Sequence, residues 1–315
     1  MARRSVILAL WLALGACCWA QSQVRVAAMR AAEGGHCAQA LAGLASFSTA
    51  PAAVRRRAGV DYIRCAMLLG KPGRAARALP YLEREYPRDP EVLFLAVHVY
   101  SSMATAASRT LLRVAPGSYQ VRELDAEALE TQGKWRQAAA AYRQVLAADP
   151  NLPGIHFRLG RVLLSEPNPT PADVAAAKRQ FEAELAVDPA NAGAEYVLGN
   201  LAFISRQWPE AIRHLRRATE INPHFGEAFL LLGRARMAQD AYAAALAPLR
   251  QAARLEADNP TAHYYLALAL YRTGHPKEAA RQQKLQRAAI LRAQAAKDRV
   301  QRALQGLPPA PAPVH

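Results

Sequence analysis

Lysine is scarce in this chain of 315 residues: of its 40 basic side chains six are lysine and 34 are arginine. Cysteine is scarcer, with four. No segment alternates apolar and polar residues as a half-buried strand does. Alanine and leucine dominate, and both favour helix, so the fold class is all-α. No apolar run reaches the roughly 20 residues of a membrane-spanning helix. No Gly-x4-Gly-Lys-Ser/Thr loop cradles phosphate, and no Gly-x-Ser-x-Gly elbow presents a nucleophile. The histidines are His36, His98, His156, His214, His224, His263, His275 and His315. No two flank a glutamate at the four-residue spacing of a zincin helix, and no Cys-x2-Cys pair follows the leader. Acidic residues such as Glu182 and Glu184 lie among arginines and read as solvated ion pairs on helix faces. These absences assign no catalytic residue, cofactor or metal ligand, and the chain reads as non-enzymatic.

What is present is repetition. A small residue followed twelve positions later by an alanine-like one recurs eight times: Ala28–Ala40, Ala66–Ala78, Ala96–Ser108, Ala126–Ala138, Gly160–Ala177, Gly199–Ala211, Gly233–Ala245 and Ala267–Ala279; four later stands a bulky apolar residue, except in the last unit, which has Gln283. Only the Gly160 unit breaks the spacing, by five residues. From Ala126 the leading residues step by 34, 39, 34 and 34, a period typical of helical arrays. The segment from Ala192 to Pro223 is the clearest unit. Leu198-Gly199 lie midway along one apolar-periodic run, Arg206-Gln207 make a polar turn, and Trp208-Pro209 open a second run, where proline's missing N–H costs nothing. Ala211, Leu215 and Ala218 share one helical face, and Asn222-Pro223 end the run. Small residues let the two antiparallel helices approach closely, and such a hairpin needs neighbours to bury both its faces.

These features resemble the tetratricopeptide repeat family. Leu-Gly stands at Leu159-Gly160, Leu198-Gly199 and Leu232-Gly233, with Leu266-Ala267 in the last unit. The Ala-x3-apolar element stands at Ala138–Tyr142, Ala177–Phe181, Ala211–Leu215 and Ala245–Leu249. The closing proline follows at Pro150, Pro189 and Pro223, and Trp135, Trp208 and Tyr242 open second helices. The resemblance covers residues 24–285 and is strongest over 119–285. It implies a right-handed superhelical solenoid of antiparallel helix hairpins, with a concave groove lined by the first helix of each pair. It also implies a protein or peptide partner. Carried over unit by unit, the groove positions give a ladder of donors, Arg161, Asn200 and Arg234, beside the flat faces of Tyr196, Tyr264 and Tyr271. Such a surface suits an extended peptide. Leu231 stands where the carboxylate-clamp subgroup has a second asparagine, so capture of a chaperone-type C-terminus is not expected.

Two units depart from the pattern. Around Ala96–Leu112 the leading residue lies only 30 from its neighbours, which predicts a shortened hairpin or a local irregularity. Ser165 to Asp173, with three prolines, predicts an expanded turn whose restart Thr170 or Asp173 caps. The net charge of +15 is dispersed over nearly every helix, so nucleic acid is not an expected partner, although an anionic polymer bound by the basic surface is an alternative.

Arg3-Arg4 followed by the apolar stretch Val6–Ala16 read as an export signal. Ordinary cleavage after Ala20 and lipidation of Cys17 within Leu14-Gly15-Ala16-Cys17 both fit. The second would make the chain an outer-membrane lipoprotein assisting pilus or secretion-complex assembly, touching the membrane only through that lipid. The expected location is the periplasm or cell envelope of a bacterium. Export leaves Cys37 and Cys65, which form either a disulfide or two small buried hydrophobes. Cys37 opens a second helix and Cys65 falls midway along the next first helix, an expected difference in level that disfavours the bridge. The chain thus divides into a signal peptide (1–20), degenerate helical repeats (21–118), regular repeats (119–285), a basic capping helix (286–306) and a proline-rich tail (307–315).

Overall fold

The computed structural model describes residues 22–305. The expected signal peptide, Cys17 and the proline-rich tail lie outside the described residues. Within them the chain forms fifteen α-helices and no strand, in two compact units that meet in sequence at Pro116 and Gly117.

The first unit holds α1 (22–33), α2 (Cys37–Leu44), α3 (Ala52–Leu68), α4 (Pro72–Glu85) and α5 (Pro90–Val114), with a short 3-10 turn at Phe47–Thr49. Its core gathers Leu44, Ile63, Leu79, Leu82, Val92 and Val99, all fully buried. Two expectations are corrected here. The first concerns the shortened hairpin around Ala96–Leu112: α5 is one unbroken helix of 25 residues. Ser101-Ser102-Met103-Ala104-Thr105 contains no glycine, proline, asparagine or aspartate to turn the chain. The hydroxyls of Thr105, Ser108 and Thr110 donate to the carbonyls of Ser101, Ala104 and Ala106 at 2.9, 3.0 and 2.9 Å, satisfying themselves without opening the helical ladder. The second concerns the cysteines. Cys37 and Cys65 are joined as a disulfide with Cα atoms 4.8 Å apart. α3 ends at Leu68, so Cys65 lies in its last turn rather than its middle, and antiparallel pairing brings that turn beside the first residue of α2.

The second unit is a run of hairpins: α6 (Tyr119–Thr131) with α7 (Trp135–Ala148), α8 (Ile155–Ser165) with α9 (Pro171–Val187), α10 (Ala192–Ile204) with α11 (Trp208–Ile221), α12 (Gly226–Met237) with α13 (Tyr242–Leu255), and α14 (Pro260–Arg272) with the long α15 (Pro276–Gln305). The twelve-plus-four spacing has a direct cause. A Cβ on Gly160 would stand 2.8 Å from the Phe181 ring, one on Gly199 2.7 Å from Leu215, and one on Gly233 2.4 Å from Leu249. The bulky residue of each second helix thus fills the space vacated on the first. The hairpin turns place one residue in the left-handed region: Gly133, Arg206, Asp240 and Gly274, with φ of 70, 58, 58 and 81°. The expanded turn ends at Thr170, whose hydroxyl accepts from the Asp173 N–H at 3.2 Å while the Asp173 carboxylate accepts from the Thr170 N–H at 2.9 Å. This reciprocal box caps α9.

A further pair recurs inside the hairpins, joining the position four before the small residue to that three after the alanine. His156 Nδ1 lies 2.7 Å from the Gln180 amide, His214 Nδ1 2.6 Å from the Glu195 carboxylate, and His263 Nδ1 2.7 Å from the Gln282 amide. Phe229 and Pro248 occupy the same two places in the α12/α13 hairpin.

Candidate functional site

The first helices of the second unit, α6, α8, α10, α12 and α14, meet along one face, and the side chains that cross between them define the candidate surface. At its start Arg158 and Arg161 of α8 pair with Glu127 and Glu130 of α6 at 2.8 and 2.9 Å. Glu130 also accepts from the hydroxyl of Tyr142 at 3.0 Å. Tyr142 is fully buried. Burial, reinforced by the acceptor Glu130, pushes its pKa up to about 12, so it stays a neutral donor. One carboxylate therefore ties the core to the surface arginine.

Between α8 and α10, Phe157 packs edge-on to Phe181 with centroids 5.6 Å apart and lies over Gly193, where a Cβ would come within 3.0 Å of its ring. Tyr196 of α10 stacks on Phe225, centroids 4.8 Å apart. Burial, aided by the charges of Glu227 and Glu256, raises the pKa of its hydroxyl. Arg234 of α12 lies between Phe203 of α10 and Tyr265 of α14, its guanidinium carbon over the two rings at 5.0 and 4.9 Å from their centroids. At the end of the row, Tyr264 and Tyr271 stand exposed. With Leu268 of α14 and Gln283, Gln286 and Arg287 of α15 they line an open recess of about 450 Å³.

The structure sets each expected residue in this frame. Arg161, Asn200 and Arg234 occupy matching positions on α8, α10 and α12, as the repeat register requires. Arg161 and Arg234 are engaged already, one by a carboxylate and the other by two rings, so neither is a free rung of a donor ladder. Asn200 is half-buried on the same row. Tyr264 and Tyr271 share the recess, whereas Tyr196 is taken up by Phe225. Sequence reasoning missed Tyr265, one position beyond Tyr264 and so turned about 100° around the helix toward α12. It also missed Phe225 and the α15 side of the recess, contacts between residues far apart in the chain.

The reading of Glu184 as a solvated ion pair is corrected. It is fully buried, and its carboxylate accepts from the backbone N–H of Gly154 and Phe157 at 2.7 and 3.1 Å and from the Asn191 amide at 3.1 Å. It closes the N-terminus of α8, where helix donors lack partners of their own. Among the described residues no group of three His, Cys, Asp or Glu side chains is placed to hold a metal ion.

The regular hairpins match two family models, one described as tetratricopeptide repeat over residues 124–172 and 172–224, the other as TPR repeat over residues 233–274. The chain carries tetratricopeptide repeats. All of these ranges fall in the second unit. Tetratricopeptide arrays are generally non-catalytic and serve protein–protein interaction, and the chain is a protein-interaction scaffold in that sense. No curated protein matches the sequence significantly. Solved structures of similar fold include a crystal structure of MamA, 23% identical over 54% of this chain and 96% of that one, with a TM-score of 0.49. MamA from residue 41 to its end, from Desulfovibrio magneticus RS-1, is 18% identical over 54% and 94%, with a TM-score of 0.48. A double mutant of MamA from RS-1 reaches a TM-score of 0.50 at 19% identity, over 56% of this chain and 96% of that one. At such identities the likeness concerns the helical fold alone.

Proposed function

We propose that this chain is an exported bacterial envelope scaffold whose tetratricopeptide row holds an extended segment of a partner protein. The observation that carries the reading is the recess at the end of the row. There two exposed tyrosines face Gln283, Gln286 and Arg287, a combination of apolar faces and side-chain donors suited to a peptide with alternating contacts. Export is supported by the Arg3-Arg4 and Val6–Ala16 pattern and by the disulfide, since such bonds persist in oxidising compartments.

Photo-crosslinking in the native envelope tests both parts. A crosslinker at Tyr271 is expected to trap a partner, one at Arg217 on a second helix is not, and Tyr264→Ala with Leu268→Ala is expected to abolish the Tyr271 product. Crosslinks from Arg217 alone would place binding on the other face. The mass of the mature N-terminus reports export: a start at Gln21 or an acylated Cys17 supports it, and an intact leader on cytoplasmic protein overturns it.

A further inference from the structure

We infer that the recess between α14 and α15 holds the proline-rich tail of another copy of this chain, as a polyproline II segment with Pro308 and Pro311 seated on Tyr264 and Tyr271. This rests on the recess being the seat of an extended segment and names its occupant. Tyr264 and Tyr271 are 47% and 66% exposed. They stand seven residues apart on α14, so they share one face and lie about 10.5 Å apart along the helix. That separation discriminates between extended conformers. Residues on one face of a β-strand recur at about 6.7 and 13 Å. Every third residue of a polyproline II helix returns to one edge after about 9.3 Å. Two prolines three apart therefore set one ring on each tyrosine, and aromatic-lined grooves take such segments. Ala267 and Leu268, between the tyrosines in sequence, line the same recess with apolar groups.

The α15 side favours an extended backbone over another helix. Gln283 and Gln286 line the recess. They take the places that Phe181 and Glu184, Leu215 and Ala218, and Leu249 and Ala252 hold in the preceding hairpins, all of them fully buried. Gln283 is exposed and Gln286 half-buried. A helix laid on them would bring a backbone whose groups are already paired and would cover both amides without partners. A polyproline II segment has no internal hydrogen bonds, so its carbonyls are free to accept. Both amides and the Arg287 guanidinium can donate to them. The tail has the matching sequence: Leu307-Pro308-Pro309-Ala310-Pro311-Ala312-Pro313 carries no charge and sets Pro308 and Pro311 three apart.

Distance decides which tail. α15 runs unbroken to Gln305. Arg287, the recess residue nearest that end in sequence, lies about 27 Å from it along the helix. Pro308, three residues beyond Gln305, reaches back at most about 11 Å. A chain therefore cannot seat its own Pro308 on either tyrosine, whereas the tail of another copy has no such tether. Each copy offers one tail and one recess, a head-to-tail contact that can repeat from copy to copy.

Fluorescence anisotropy of a labelled peptide of residues 305–315, titrated with the full chain, tests the inference. Saturable binding is expected. Tyr264→Ala and Tyr271→Ala in the protein, or Pro308→Ala with Pro311→Ala in the peptide, are each expected to weaken it at least tenfold. A peptide of the same composition with no two prolines three apart is expected not to bind, and Arg217→Ala in the protein is expected to change nothing. In light scattering the mass of the full chain is expected to rise with concentration, while a chain ending at Gly306 stays at one copy. No peptide binding, equal binding by the reordered peptide or by tyrosine variants that circular dichroism shows folded, or a full chain of constant mass would each overturn it. If the peptide fails while a crosslinker at Tyr271 traps a different protein, the tail is overturned as occupant and the recess stands as a peptide seat. If both fail, the seat falls with it.

Discussion

Glu184 shows how much one buried carboxylate can carry. It replaces water for two backbone donors at the start of α8 and for the Asn191 side chain. Removing it strands those donors in a site without solvent. Glu184→Ala is therefore expected to cost about 2–3 kcal/mol, in the range for hydrogen bonds to a charged group. Glu184→Gln, which keeps one acceptor, is expected to cost less; urea denaturation measures both. Asp89 offers a pH test in the first unit. It caps α5 through the N–H groups of Glu91 and Val92 and receives the Arg56 guanidinium at 2.6 and 2.9 Å. The Arg56 hydrogen bonds, helped by those backbone donors, lower its pKa from the usual 3.8 to about 2. Since the folded value is depressed, the stabilisation is complete above the unfolded pKa and fades as pH falls through the folded one. Stability of the first unit is expected to decline between pH 3.8 and about 2, and Asp89→Asn is expected to flatten that slope in acid titrations followed by circular dichroism.

At the scale of the element, the hairpin turn is the place to look for gain. Arg206 and Asp240 hold φ of 58° in the turn position that Gly133 and Gly274 fill in neighbouring hairpins. A side chain there costs on the order of 1 kcal/mol. Arg206→Gly is expected to raise the melting temperature of the array by a few degrees, the shift for about 0.5–1 kcal/mol. The helix crossings predict the opposite sign. Gly233→Ala would set a methyl 2.4 Å from Leu249, and the repacking is expected to cost about 1–3 kcal/mol in the same melting assay. The crossings and the openings of the second helices were legible in the sequence because Gly199–Leu215 or Trp208-Pro209 are contacts and openings that recur along the array at matching places in the unit. α5 was not, because Ala96–Ser108 repeats the spacing without a residue that turns the chain. The level of Cys65 depended on where α3 ends, and the grip of Phe203 and Tyr265 on Arg234 depended on how three helices meet, neither of which a local pattern encodes. The row of first-helix positions was legible; the engagement of its arginines was not.

At the scale of the whole molecule, the chain joins a stapled unit to a repeat array, and each responds to its own perturbation. The disulfide closes a separation of 28 residues between α2 and α3, a cross-link commonly worth about 2–4 kcal/mol. Reduction is expected to lower amide exchange protection in α1 to α4 and to leave α8 to α14 unchanged, as hydrogen exchange with mass spectrometry resolves.

The polar couples inside the hairpins bear on how such a molecule changes over generations. In α8/α9 the histidine sits on the first helix and its glutamine on the second; in α10/α11 the histidine has crossed to the second helix and a glutamate answers from the first. A duplication that copies a whole hairpin transmits both members together, so arrays can lengthen or shorten freely by that step. A recombination joint falling in the turn between the two helices would bring His156 face to face with His214 or Glu195 with Gln180. The heritable unit of this array is thus the helix pair, and its breakpoints belong between hairpins.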